Sequence, residues 1–279
     1  MRAPRIKLIT NHHLGDVVIL TAVIRNLLAE YSEAEVDYAG PYREIFDFAP
    51  GLLTVLPSAR EVPAVYAPFS QKTADGGNCV EGFSRSLFAA IGLRIPYKFR
   101  HHAPVLELSD EDREAARKYA GAIILNANWQ ECSEVKAYPH WGEFVKLTSA
   151  RIIRIGGRED RDRGYDIAGV EDMRGKTTIR ELVRMCAGCS AIVSPPSAVV
   201  HIGAAFGKAT VCITGAREPM TLTSYKNVYH LTSKCGRFSS TYGCMCFRLR
   251  QCRDVRDGFP ACMADIPPER IADALNKIT

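Results

Sequence analysis

Apolar residues return at two rhythms along this chain, and the alternation between them predicts an α/β protein. Residues 6–10 form a short apolar run that reads as a strand. From about residue 16 to 30, Val17, Leu20, Ile24, Leu27 and Leu28 recur at helical spacing, as on the buried side of an amphipathic helix. A second strand is expected at 35–39, ended by Gly40-Pro41. Weaker strands are expected near 53–56 and 64–66. The polar stretch 70–79, with two adjacent glycines, reads as a mobile loop, and a helix over about 80–91 closes the first half.

The second half repeats the rhythm. Ser109 precedes three acidic residues, the signature of a helix N-terminus. A strand at 122–126, a helix at 140–148 and a strand at 151–155 follow, the last ending at Gly156-Gly157. The most informative stretch is 177–219. It predicts a helix carrying Ile179, Leu182, Val183 and Cys186, a strand at 191–193, a Pro-Pro-Ser turn and a small-residue helix from Ser197 past His201. Gly207 stops that helix, and a strand at 210–214 runs into a turn at Gly215. A last helix is expected at 267–277, with proline in its first turn. Two Rossmann-like halves facing each other across a cleft account for this order, residues 1–108 and 109–279.

The opening β-turn-α-β lacks a GxGxxG fingerprint, which argues against a dinucleotide there. Ser197, His201 and Gly215 instead lie at or just beyond the carboxyl ends of strands, where open α/β sheets bind ligands. A helix start at Ser197 would also offer backbone N–H groups to an anion, phosphate above all.

Composition narrows the class. The 279 residues suit two units of roughly 100–150 each. A formal charge of +5 fits an anionic small ligand better than a nucleic-acid surface. No apolar run approaches the roughly 20 residues needed to span a bilayer, and the basic N-terminus is a poor signal sequence, so a cytoplasmic location is expected.

Ten cysteines in such a chain point to reduced thiols or metal rather than disulfides. Cys186 and Cys189 have redox-pair spacing, but they fall at a helix end and read as core. Cys244, Cys246, Cys252 and Cys262 fall within nineteen residues, with Cys235 just upstream. Four thiolates suit a structural zinc or iron, and free thiols are the competing reading. Basic residues crowd the same tail: Lys234, Arg237, Arg248, Arg250, Arg253 and Arg256.

Several segments resemble glycosyltransferase family 9, the heptosyltransferases: LGDVVILTAVIRNLLAEYSEAEVDYAG, NCVEGFSRSLFAAIGL, KAYPHWGEFVKL, RIIRIGGREDRD, the run from MRGKTTIRELVRMC through ITGAREP, and CMADIPPERIADAL. They occur in the family's order over nearly the whole chain. The resemblance implies a GT-B fold and inverting transfer of a sugar, usually heptose, from a nucleotide diphosphate donor such as ADP-heptose. It implies Asp16 as catalytic base, where position alone favours a helix N-cap. Lys136, Ser197, Ala198, His201 and Gly215 would meet the donor, and Gly15 and His13 the acceptor. No catalytic metal is implied, although some members carry a cysteine-bound metal near the C-terminus. The acceptor, whether glycan, glycolipid or protein, stays open, as does the oligomeric state. One departure stands out: Pro196-Ser197-Ala198 replaces the family's Asp-Ser/Thr-Gly, which removes a carboxylate and a backbone donor. Two alternatives therefore remain beside a transferase: a catalytically silent sugar-nucleotide binder or assembly protein, and a sugar-nucleotide epimerase of related fold.

Overall fold

A computed structural model describes residues 3–10, 13–64, 78–127, 136–163, 166–215, 220–233, 252 and 254–278. Within these the chain forms two parallel sheets. The first is built from β1 (Arg5–Ile9), α1 (Leu14–Glu30), β2 (Glu35–Ala39) and β3 (Arg60–Pro63), in the strand order β2-β1-β3. Then come α2 (Cys79–Ala90) and α3 (Asp110–Ala116).

The second sheet has six parallel strands: β4 (Ile123–Leu125), β5 (Ile152–Arg154), β6 (Glu171–Asp172), β7 (Ala191–Ser194), β8 (Ala209–Gly215) and β9 (Val228–Thr232). Between them lie α4 (Trp141–Lys146), α5 (Arg158–Arg163), α6 (Ile179–Gly188) and α7 (Ala198–Ala205). The tail adds a small hairpin, β10 (Val255–Arg256) with β11 (Phe259–Pro260), then α8 (Ala261–Ala264) and α9 (Glu269–Ile278).

Strand order matters more than strand count. The large sheet runs β6-β5-β4-β7-β8-β9, so the chain winds outward from β4 in one direction and then from β7 in the other. A doubly wound sheet opens a crevice at such a reversal, outside the carboxyl ends of the two central strands. Those ends carry Asn126 after β4 and the Pro195-Pro196-Ser197 turn after β7. The small sheet reverses beside β1, whose carboxyl end leads into α1.

Local sequence explains the elements. β4, β5 and β7 are buried on both faces, so their apolar residues run on without alternating. Ser109 caps α3 by accepting from the Asp112 N–H, and Thr178 caps α6 by accepting from the Glu181 N–H. Cys186 and Cys189 are both buried at the end of α6, as core residues. Gly207, at φ +63°, ends α7's segment in the left-handed region.

The apolar core does not respect the division between sheets. One continuous cluster joins Val17, Leu20 and Ile24 of α1 with Val199 and Ile202 of α7 and Leu222 beyond. A second cluster on the far face packs β4, β7 and β8 against Trp141, Phe144 and the tail residues Met263, Ile271 and Leu275.

One expected strand differs. Residues 53–56 bury Leu56 and give the Thr54 N–H to the Val36 carbonyl, yet form no ladder. The third strand is instead β3, an edge strand that buries Val62 alone and therefore lacks an apolar signature. Residues 65 and 66 of the other expected strand, and 70–77 of the expected loop, lie outside the described residues. Cys79 is not part of a loop: capped by Asn78, it is the buried first residue of α2. Among the described residues, no helix is long and apolar enough to cross a membrane.

Candidate active site

Two helix N-termini meet in one cleft. The first belongs to α1. Its cap is His13, in extended conformation, and the His13 N–H donates to the Asp16 carboxylate at 3.2 Å. Position alone favoured Asp16 as the N-cap; the structure puts it three residues into the helix, because the extended residue that starts the helix is His13. The carboxylate is thereby tethered to the cap's backbone and lines the cleft.

The second N-terminus belongs to α7. Ser197 is its N-cap by backbone position, but its side chain makes no capping bond. The hydroxyl is engaged elsewhere: Asn126 Nδ2 donates to Ser197 Oγ at 2.9 Å and to Ser194 Oγ at 3.0 Å, and the two serine oxygens lie 2.8 Å apart. The Lys136 ammonium donates to the Pro196 carbonyl at 2.9 Å, which fixes a positive charge beside the same turn. The first-turn N–H groups of α7 and the Lys136 charge thus share one place, which is what an anion requires.

Close approach of the helices depends on Gly15. A Cβ there would lie 3.2 Å from His201 Cδ2 and 3.4 Å from Ala198 Cα. Even a methyl group would press on the His201 ring, which would have to give by a few tenths of an ångström. The cleft between them holds about 500 Å³, and His13, Gly15, Asp16, Lys136, Ser197, Ala198 and His201 all line it. Gly215 does not. It ends β8 at φ +59°, and a Cβ there would sit 2.6 Å from Met263 Sδ, so its backbone serves packing under α8.

Electrostatics sharpen the picture. Burial, reinforced by the nearby Lys136 charge, pushes His201 down to about 4, so the ring is neutral at pH 7. Its Nδ1 lies 2.8 Å from the Tyr225 hydroxyl. Asp160, on α5, also lines the cleft and accepts the Gly157 N–H at 2.7 Å. Burial raises its carboxyl above the usual range, and the Gly157 bond, Arg154 and Arg174 only partly offset this.

Sequence reading missed four lining or supporting residues: Asn126, Asp160, Cys79 and Tyr225. Asn126 and Asp160 were detectable in principle, one at a strand's carboxyl end and the other just after a strand-ending Gly-Gly. Nothing in the local pattern marks Cys79 or Tyr225, which come together from residues far apart in the chain.

The tail cysteines divide. Cys244 and Cys246 lie outside the described residues. The Cys252 thiol donates to the Asp254 carbonyl, and Cys262 is buried in α8 near Gly215. Among the described residues, no three His, Cys, Asp or Glu side chains gather as a metal site.

Residues 71–251 match the model of glycosyltransferase family 9 (heptosyltransferase). Lipopolysaccharide heptosyltransferase 2 of Escherichia coli (strain K12) is 22% identical over 163 residues, 53% of this chain and 44% of that protein. The match therefore spans less than half the length of this curated relative. Among solved structures, E. coli ADP-heptose lps heptosyltransferase II superposes with a TM-score of 0.69 at 17% identity, over 98% of both chains. Dodecameric iron-containing heptosyltransferase TibC, from enterotoxigenic E. coli H10407 and in complex with ADP-D-beta-D-heptose, gives a TM-score of 0.66 at 15% identity, over 99% of this chain and 76% of its own. The fold is GT-B.

Proposed function

Since this chain belongs to glycosyltransferase family 9, we propose that it moves a sugar, heptose first among candidates, from a nucleotide diphosphate donor to an acceptor hydroxyl, with inversion at the anomeric carbon. The observation that carries this reading is the pairing in one cleft of a tethered carboxylate on α1 with a cationic, uncapped helix start on α7. Asp16 takes the proton from the acceptor hydroxyl as its oxygen attacks the anomeric carbon. The bond from that carbon to the diphosphate breaks, and the nucleoside diphosphate leaves with both electrons. Lys136 and the α7 N–H groups meet the charge that develops on it.

Such chemistry needs no catalytic metal, because the leaving charge already has its partners. ADP-heptose is the donor favoured here, since it is the ligand named for TibC. In this reading residues 1–108 hold the acceptor (a glycan, glycolipid or protein) and residues 109–279 hold the donor, in the cytoplasm. Cys244, Cys246, Cys252 and Cys262 are the set that would hold a structural zinc or iron. Their soft thiolates suit either metal, and elemental analysis of the purified chain tests the assignment.

Incubation with ADP-heptose and a panel of acceptors should release ADP and add one heptose mass to an acceptor. A second reading is favoured by Pro196, which offers neither the carboxylate nor the N–H that the family supplies there. Nucleotide-sugar binding without turnover across the whole panel would select that reading, a silent binder. Conversion of the nucleotide sugar without any acceptor would overturn transfer in favour of epimerase chemistry.

A further inference from the structure

His201 lines the cleft, and what it can do there depends on which ring nitrogen carries its single proton. Two neighbours bear on that question. Cys79, the first residue of α2, places its Sγ 3.2 Å from the Tyr225 hydroxyl, and the same hydroxyl lies 2.8 Å from His201 Nδ1. Cys79 and Tyr225 are both buried, and the Tyr225 ring meets the imidazole edge-on at 5.8 Å. The chain of bonds thus starts on α2, passes through the segment after β8, and ends on α7.

Protons in such a chain have two orders. In one, the thiol donates to Tyr225 Oη, the tyrosine donates to His201 Nδ1, and the imidazole proton sits on Nε2. In the other, Nδ1–H donates to the tyrosine and the tyrosine donates to sulfur. An imidazole nitrogen is a much better acceptor than a thiol sulfur, so the first order makes the stronger pair of bonds. It also requires a thiol that keeps its proton. Burial, with the Asp16 charge adding to it, pushes Cys79 up to about 12.

We propose that Cys79 and Tyr225 are positioning residues which hold His201 in the Nε2-protonated tautomer, so that the ring offers a neutral N–H donor to the cleft. The Cδ2 edge next to that nitrogen faces Gly15, one residue from Asp16, and His201 lies about one turn along α7 from Ser197. A neutral donor there can bond to a phosphate or sugar oxygen in both ground and transition states without competing with Asp16 for a proton. The use of this donor in transfer rests on the function proposed above; the tautomer does not.

Nitrogen-15 NMR of the full chain with labelled histidine reads the tautomer directly, with His201 identified by the signal lost in His201→Gln. The expected spectrum has an unprotonated Nδ1 and a protonated Nε2. Tyr225→Phe should give a mixture of tautomers and raise KM for the donor about fivefold, the equivalent of one neutral hydrogen bond, with kcat nearly unchanged. Cys79→Ala should act in the same direction, and Cys79→Ser, which keeps a donor, should recover the Nε2 tautomer. A wild-type spectrum with the proton on Nδ1, or a tautomer unmoved by both Tyr225→Phe and Cys79→Ala, would overturn the proposal. Failure to find any transferase activity while the spectrum behaves as expected would strike the function instead and leave the relay standing.

Discussion

The helix starts of α1 and α7 lie side by side, yet they treat their free N–H groups in opposite ways. On α1 the third helical residue is an aspartate that reaches back to the cap, so the terminus is occupied by the protein's own carboxylate. On α7 the cap hydroxyl is drawn away by Asn126 and Ser194, and a lysine is anchored next to the turn. One end carries a negative group suited to taking a proton; the other keeps donors and positive charge for an anion. The difference teaches that one structural device, repeated in two halves of a fold, is specialised by where a few polar side chains spend their hydrogen bonds.

Breaking the α1 side should have the largest effect. Asp16→Asn keeps an oxygen for the His13 N–H and removes the proposed base, so transfer should fall by ~10²–10⁴-fold while the melting temperature barely moves. Steady-state ADP release checks it. On the α7 side, Lys136→Ala deletes the point charge beside the Pro196 carbonyl and should lower kcat/KM by roughly tenfold, the scale of one charge-assisted bond. Gly15→Ala attacks the meeting of the two sides. Its methyl presses on the His201 ring, and denaturant unfolding should register a loss of ~1 kcal/mol. Ser197→Ala should matter least for nucleotide affinity, a few-fold at most, because the backbone donors remain; calorimetry measures it.

His201 gives the contrast a pH signature. Its folded-state value is about 4 against an ordinary 6.5, so between those limits the unfolded chain binds the extra proton. Stability should therefore fall as pH drops from 6.5 towards 4 and stop falling on this account below that. Denaturation midpoints of His201→Gln should lack this part of the slope, with the other histidines contributing equally to both proteins.

Much of the architecture was legible because parallel strands buried on both faces leave unbroken apolar runs, as at 123–125 and 191–193. β3 was illegible for the opposite reason: an edge strand with one buried residue has no pattern to read. In the cleft, residues adjacent to a strand end or helix start, such as Asp16 and Ser197, could be found from local order and family resemblance. Tyr225 and Cys79 could not, since 146 positions separate them and only the packing of α2 against the segment after β8 brings them together. The crowding of Gly215 was hidden in the same way, because the α8 residues against it arrive from the tail.

The division of labour between the two helix starts is tested most directly by titrating ADP calorimetrically into three proteins: wild type, Asp16→Asn and Lys136→Ala. Asp16→Asn should bind ADP with wild-type affinity, whereas Lys136→Ala should bind it about tenfold more weakly. Equal losses in both variants, or unchanged affinity in Lys136→Ala, would contradict the placement of the nucleotide diphosphate at the start of α7.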